Sequence, residues 1–304
     1  MLADLKPGDQ MNLDVMVNSY EIKFSERVKN NYFLAMTCKD SSGEIPVKVF
    51  DLGKDKLDEL VSLLDENKFI HVLGNVEEFK GSINAKATEI EFIDEPEDLS
   101  YYERCSGIPI SDLKSRLNQA ISDIASPHFR QLANNLVGEN GKYRTKYEIW
   151  PAAKSMHHAY RHGLLEHSLE VYKFVESDQN ATQAFDECSR PNINWDALRT
   201  AALIHDLAKI EELDYNQGAV KYTQTGELIG HLCLGAMWAY HEIQLVPEFP
   251  REDAEALLHV LLSHHGRQEW GNAVNGKTPE SEIFHQADHK SATLNKSLKS
   301  KTRD

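Results

Sequence analysis

Residues 203–209 read Leu203-Ile204-His205-Asp206-Leu207-Ala208-Lys209. The stretch from Trp195 to Lys209 has helical spacing, with Leu198, Ala201, Ala202 and His205 on one stripe. A histidine therefore stands where an apolar side chain is expected, with an aspartate beside it. Burying both without a partner is costly, and a cation is one natural solution. An aspartate can bridge two ions through its two oxygens, whereas the histidine ligates one. Lys209 falls one turn beyond His205 on the same face, where it can hold a phosphate oxygen. Taken alone, a His-Asp pair serves structure as readily as chemistry, so the surroundings decide.

Working outward, the same residue types recur at helix positions. His167 sits in Gly163-Leu164-Leu165-Glu166-His167, an apolar helix start. His231 follows Gly230, and His264 and His265 end a helix predicted over Glu252–Ser263, with Gly266 as its cap. Asp288 closes Phe284-His285-Gln286-Ala287-Asp288. Each lies on or at the end of a different predicted helix, and ligands converging from several helices are how helical domains build metal sites. Of the 14 histidines, only His71 and His128 precede residue 150. Neutral imidazole is the commonest protein metal ligand. His162, His241, His259 and His289 are read as ordinary core or surface histidines.

Before residue 95 the pattern changes to β. Met11–Val17, Tyr32–Lys39, Glu44–Phe50, Phe69–Phe79 and Ser82–Ile93 are rich in Val, Ile, Phe, Thr and Tyr. Asp40-Ser41-Ser42-Gly43 and Lys80-Gly81 read as turns. One helical pattern interrupts, with Leu57, Leu60, Val61 and Leu64 at helical spacing. Three strands, a helix and two strands is the order of an OB-fold, a five-stranded barrel that often binds oligonucleotides. With Val47 and Val49 inward, Lys48 and Phe50 share the outer face. A lysine beside an aromatic suits a phosphate beside a stacked base, although the same spacing also occurs in strands that bind nothing. Asp94-Glu95-Pro96-Glu97-Asp98 has linker composition, and a helix is predicted over Ile110–Ala125 with Ser111 as its N-cap. The fold class is therefore multidomain α and β: a small five-stranded OB-fold barrel over 1–95, a linker over 96–110, and an all-α domain over 111–304. The basic tail, Lys290, Lys296, Lys299, Lys301 and Arg303, is read as a solvated helix end or a contact for a substrate backbone.

The ordered set of His167, His205-Asp206, His231, His264-His265 and Asp288 resembles the HD-domain superfamily of metal-dependent phosphohydrolases. Ala152-Ala153-Lys154-Ser155-Met156-His157-His158-Ala159-Tyr160, Gly163–His167, Tyr222–His231 and Leu262-Ser263-His264-His265-Gly266 narrow the resemblance to the YhaM-like 3′–5′ exoribonucleases. These join an N-terminal OB-fold to a C-terminal HD domain, and the likeness covers nearly the whole chain. Arg161-His162 departs from the family, where small residues are common. The resemblance implies one metal held by His167, His205, Asp206 and Asp288. It implies a second held by Asp206, His231, His264 and His265, with Asp206 bridging and both ions activating water. Lys209 would touch phosphate, and Lys154, His157 and His158 would line the substrate side. Imidazole and carboxylate ligands without thiolate suit Mn, Fe, Ni, Co or Zn rather than Ca or an iron–sulfur cluster, and Mn is the ion expected of the resemblance. The implied activity is 3′–5′ exonucleolytic hydrolysis of single-stranded RNA, with DNA as a further substrate.

Composition sets bounds on this reading. A chain of 304 residues with 41% hydrophobic residues can bury real cores, and its formal charge of −15 argues against broad electrostatic binding to a polyanion. Local basic patches and divalent cations can still make one groove attractive. No apolar run approaches the roughly 20 residues of a membrane span. Met1–Gln10 lacks the apolar stretch of a signal peptide. Cys38, Cys105, Cys188 and Cys233 form no C-x-x-C pair, as expected of lone thiols in a reducing cytoplasm. Three rival readings share these features: an HD phosphohydrolase of a small nucleotide (a dNTP or cyclic dinucleotide), a non-catalytic OB-fold nucleic-acid binder, and a structural metal site. No Gly-Tyr-Pro follows His264-His265, which disfavours the cyclic-dinucleotide branch, and a structural site is usually filled by protein ligands alone.

Overall fold

A barrel needs strands that bend, and β1 (Gln10–Phe24) shows how this chain makes one. Its first half pairs with β4 (Phe69–Phe79) and its second half with β2 (Tyr32–Asp40), with a register shift between Val17 and Ser19. The strand is longer than its apolar pattern predicted, because polar residues such as Asn18, Glu21 and Lys23 occupy the part beyond the bulge. β2 pairs with β3 (Gly43–Val49), and β3 runs parallel to β5 (Ser82–Phe92), which returns to β4. The closed order β1-β2-β3-β5-β4, with α1 (Lys54–Glu66) between β3 and β4, is that of an OB-fold. The computed structural model describes residues 1–79, 81–96, 99–183, 192–216 and 219–301. Lys80 of the expected hairpin turn, Glu97 and Asp98 of the expected linker, Cys188 and Arg303 lie outside the described residues, as do the side chains of Lys299 and Lys301.

Alternating residues fill the barrel: Val15, Val17, Leu34, Met36, Cys38, Ile45, Val47, Ile70 and Val72 are buried in one cluster. Leu57 and Leu64 of α1 join it fully buried, with Leu60 and Val61 packed alongside. Gly74 marks the tightest approach. A Cβ there would sit 2.4 Å from the Lys86 carbonyl oxygen, so only glycine lets β4 curl against β5 at its bulge. The buried Asp40 carboxylate accepts from the backbone N–H groups of Leu2, Ser42 and Gly43, tying the β2–β3 turn to the N-terminal segment. Tyr102, placed in the linker by sequence, is buried against Met16 and Phe69. Accordingly, this unit extends to Arg104.

The second unit is helical. It comprises α2 (Ile110–Ser122), α3 (Pro127–Val137), α4 (Arg144–Ile149), α5 (Gly163–Gln183), α6 (Trp195–Ile204), α7 (Lys209–Glu212), α8 (Gln224–Leu228), α9 (Gly230–Ile243), α10 (Arg251–Ser263) and α11 (Pro279–Lys301). α6 is buried on every side from Ala197 to Ile204 apart from Arg199, so it is the domain's central helix. Leu164, Val171, Leu257, Leu261 and Phe284 pack in the same core. Three details differ from expectation. The domain is not purely helical, because β6 (Leu213–Asn216) and β7 (Ala219–Tyr222) form a hairpin. α2 stops at Ser122 and is capped by Pro109, with Ser111 inside its first turn. The helix predicted to reach Lys209 stops at Ile204, and residues 205–208 form turns before α7. Among the described residues no helix is long and apolar enough to cross a membrane, and Cys38 and Cys233 are free thiols.

Candidate metal centre

The break after Ile204 matters chemically. In a continuous helix successive side chains diverge by about 100°, so His205 and Asp206 could not both face one point. Tight bonds from Leu207 N–H to Ile204 O (3.1 Å) and from Lys209 N–H to Asp206 O (2.9 Å) replace the helical pattern. Both side chains are buried, His205 at 1% and Asp206 at 2% exposure. α5 brings His167, α9 brings His231, the end of α10 brings His264 and His265, and α11 brings Asp288. Gly230, at φ +73°, lets the chain turn into α9 directly before His231.

Asp206 sits among these groups with its two oxygens facing different partners. Oδ2 lies 3.6 Å from His167 Nε2 and 3.5 Å from His205 Nε2. Oδ1 lies 3.4 Å from His231 Nε2 and 3.8 Å from His264 Nε2. Asp288 Oδ1 is 3.1 Å from His167 Nε2 and 3.8 Å from His205 Nε2. Potential donor atoms group as His167, His205 and Asp206, and as His231, His264 and His265. His264 is also close enough to His205 and Asp288 to share an ion with them, so the ligands do not divide cleanly into two sets.

The far side of four of the five imidazoles fixes the tautomer. His205 Nδ1 faces the Ala202 carbonyl (3.3 Å) and His264 Nδ1 the Leu261 carbonyl (2.8 Å). A carbonyl only accepts, so Nδ1 carries the proton in both. His231 Nδ1 donates to Glu212 Oε1 at 2.8 Å, an oxygen that also accepts from the His231 backbone N–H. Ser291 Oγ donates to Glu170 Oε2 and so accepts from His167 Nδ1 at 2.9 Å. Four Nε2 lone pairs are thereby left facing inward, and those of His167 and His205 are only 3.2 Å apart. Asp206 Oδ1, His231 Nε2 and His264 Nε2 are buried with no hydrogen-bond partner. Facing lone pairs and an orphaned carboxylate oxygen repel unless something positive lies between them. The residues therefore fit a divalent transition ion.

Residues 164–293 match the HD domain family.

HD domains are metal-dependent phosphohydrolases, and the match supports a hydrolase here. The electrostatics of the HD domain agree with the donor set. Burial pushes the Asp206 carboxyl up, but the Lys209 ammonium and the surrounding histidines outweigh it and hold the group well below the usual range. Burial lowers His205 to about 4 and holds His264 well below its ordinary value, so both imidazoles are neutral at pH 7. Lys209 Nζ donates to Asp206 Oδ2 at 2.7 Å. An ammonium carries three N–H donors, so this ion pair leaves room for the phosphate contact expected of Lys209.

A cavity of about 370 Å³ opens beside the cluster. Asp206, Lys209, His265 and Asp288 line it, together with His157, Trp270, His285, His289 and Ala292. Of the expected substrate residues, His157 is in this lining. His158 is fully buried behind it, and Lys154 is exposed with Nζ 5.6 Å from the Tyr222 ring centroid. His289, read as an ordinary core or surface histidine, is exposed and also borders the cavity. Sequence reasoning also missed Glu212, Ser291 and Glu170, which orient ligands from 19, 124 and three positions away. His162 closes a loop, in left-handed conformation at φ +68°, with Nδ1 2.5 Å from the Glu148 carbonyl oxygen.

On the barrel, Lys48 and Phe50 do lie on the outer side. Lys48 Nζ is 5.0 Å from the Phe79 ring centroid, and Lys86, its neighbour across β3 and β5, places Nζ 5.4 Å from the Phe50 ring centroid. Phe33 and Phe50 rings are 5.1 Å apart and tilted by 30°. Phe50 falls one residue past the end of β3, and Phe79 is 55% exposed. Parts of the chain are similar to solved structures. The second OB-fold domain of replication protein A from Methanococcus maripaludis is 14% identical over 32% of this chain and 97% of that one, with a TM-score of 0.22. A replication protein A heterotrimer bound to ssDNA is 19% identical over 38% of this chain and 29% of that one, with a TM-score of 0.27. Aspartyl tRNA synthetase from Entamoeba histolytica is 12% identical over 62% and 37%, with a TM-score of 0.22. With scores this low, the identity of the barrel rests on its own strand order and closure.

Proposed function

We propose that the protein is a metal-dependent 3′–5′ exonuclease of single-stranded RNA, and of DNA as a second substrate, acting in the cytoplasm. The observation that carries the reading is Asp206, whose two oxygens face two groups of inward imidazole lone pairs within an HD-matched domain. His167, His205, Asp206 and Asp288 would hold one ion, and Asp206, His231, His264 and His265 a second. Bound there, two such ions (Mn foremost, with Fe, Ni, Co or Zn as alternatives) would supply Lewis acidity to a phosphodiester and to water.

The chain's own residues do the rest. Glu212, Ser291 and the two backbone carbonyls keep each Nε2 deprotonated and aimed inward. Lys209 offsets the carboxylate charge at Asp206, so that the cluster accepts an anionic phosphate more readily. The cavity has the volume of a small-ligand pocket, which suits one terminal nucleotide, with His157 and Trp270 at its walls. On the barrel, Phe33, Phe50 and Phe79 offer ring faces to bases while Lys48 and Lys86 offer charge to the backbone. Stacking of this kind grips a strand without reading its sequence, at roughly 1–3 kcal/mol per base. The digestion polarity follows the resemblance to the YhaM-like enzymes. The cavity volume also suits a free nucleotide, which keeps a small-nucleotide hydrolase as the second reading.

The test is a time course on single-stranded RNA labelled at its 5′ end, with Mn²⁺ and with EDTA. A Mn²⁺-dependent ladder shortening from the 3′ end is expected. RNA left intact while nucleoside triphosphates are hydrolysed would transfer the assignment to the second reading.

A further inference from the structure

The densest collection of unsatisfied buried polar atoms outside the Asp206 centre lies one layer behind it. His158 is fully buried, and neither of its ring nitrogens completes a hydrogen bond. Its backbone is in the left-handed region at φ +48°, and its N–H donates to Asn295 Oδ1 at 2.9 Å, which fixes where the ring points. Nε2 comes within 3.3 Å of Glu170 Oε2. Glu166, one turn earlier on α5, has its Oε2 buried and also without a partner. Donor atoms of His158, Glu166 and Glu170 all lie within 4.8 Å of one another. A native interior rarely leaves a cluster of polar atoms unpaired, and an ion held by one ring nitrogen of His158 and the two carboxylates is one explanation for it.

We propose that His158, Glu166 and Glu170 form a further cation site, apart from the Asp206 centre, for a divalent transition ion such as Mn²⁺. Two carboxylates bring the charge such an ion needs, and the imidazole favours a borderline transition metal over Mg²⁺ or Ca²⁺. The ion has a route in: Glu166 and Glu170 also line a cavity of about 390 Å³ that is separate from the one beside Asp206. Lys173 at that wall is tied to Glu176 by an ion pair of 2.7 Å. The site is linked to the centre by one short chain of hydrogen bonds, from Glu170 through Ser291 to His167 Nδ1. An ion on Glu170 therefore steadies the His167 imidazole from behind.

The experiment is a Mn²⁺ titration of the full chain after EDTA stripping, with free Mn²⁺ read by electron paramagnetic resonance. Wild type is expected to bind one equivalent more than Glu166→Gln and His158→Gln, or to bind that equivalent at least about tenfold more tightly. Glu166→Gln keeps shape and replaces only charge, so it decides the matter should His158→Gln fail to fold. Asp206→Asn is expected to lose the central equivalents and keep the one that Glu166→Gln removes. Equal Mn²⁺ binding by wild type and both site variants overturns the proposal. A Mn²⁺ count unchanged by Asp206→Asn would instead overturn the assignment of the central cluster and leave this one standing.

Discussion

The helical unit and the barrel carry their polar groups in opposite ways. Around Asp206, six side chains from α5, α9, α10, α11 and the turn after α6 meet at buried or half-buried positions, and most hold a second hydrogen bond that fixes their orientation. On the barrel, Phe50, Phe79, Lys48 and Lys86 stand on an outer face, touch mainly one another, and are partly exposed. The first arrangement is over-determined, so removing one member disturbs the others. The second is a set of near-independent contacts whose losses add. A buried, cooperative cluster suits a bond-breaking step, and an exposed, additive surface suits grip on a strand of any sequence.

The largest expected effect therefore comes from the one group that faces both sides of the cluster. Asp206→Asn keeps the shape of the side chain and a partner for Lys209 while removing the carboxylate. Hydrolysis should fall by about 10³-fold or more, while the circular dichroism spectrum and melting temperature stay near those of wild type. Turnover within a few-fold of wild type would show that the cluster does not act as a unit.

A smaller effect tests whether the orientation of the ligands matters. Glu212 Oε1 holds His231 at both its ring and its backbone. Glu212→Ala should weaken metal affinity or activity by about 10–100-fold, the usual loss when an outer partner of a ligand is removed. Glu212→Gln retains an accepting oxygen and should recover most of it. If the glutamine variant is as poor as the alanine one, the negative charge and not the hydrogen bond is what His231 needs.

The two regions were also unequally legible in the sequence. His167, His205, His231 and His264 stood out because each is a polar group on or at the end of a largely apolar helix, a local contradiction that needs no tertiary knowledge to see, whereas Asp288, on the polar α11, was found as the last member of the ordered set. Glu212, Ser291 and Glu170 gave no such signal. Their partners are set by how helices pack, and a serine on α11 or a glutamate on α7 or α5 is unremarkable by itself. The break after Ile204 was hidden for a related reason: Leu207, Ala208 and Ile210 continue the apolar pattern of α6 through the turn. In the barrel, the order of strands and the α1 stripe were readable from alternation, but the second half of β1 was not. Its outward polar residues mask the strand, and the bulge at Val17 to Ser19 breaks the period of two. Lys86 and Phe79 were overlooked because their meeting with Phe50 and Lys48 depends on β3 lying beside β5.

The smallest effects should come from the barrel and should separate by substrate length. Phe50→Ala removes one stacking face, at a cost of roughly 1–3 kcal/mol. That raises KM for long single strands by about tenfold, with kcat unchanged, because the buried cluster is untouched. Lys48→Ala removes one backbone contact. The slope of log KM against log salt should fall by about 0.7 for a single strand, and KM at low salt should rise only a few-fold. Dinucleotides, too short to reach across several rings, should be cleaved by both variants as by wild type. A loss of kcat on dinucleotides in either variant would mean that the barrel face takes part in the chemistry, and that the division between a cooperative centre and an additive grip does not hold.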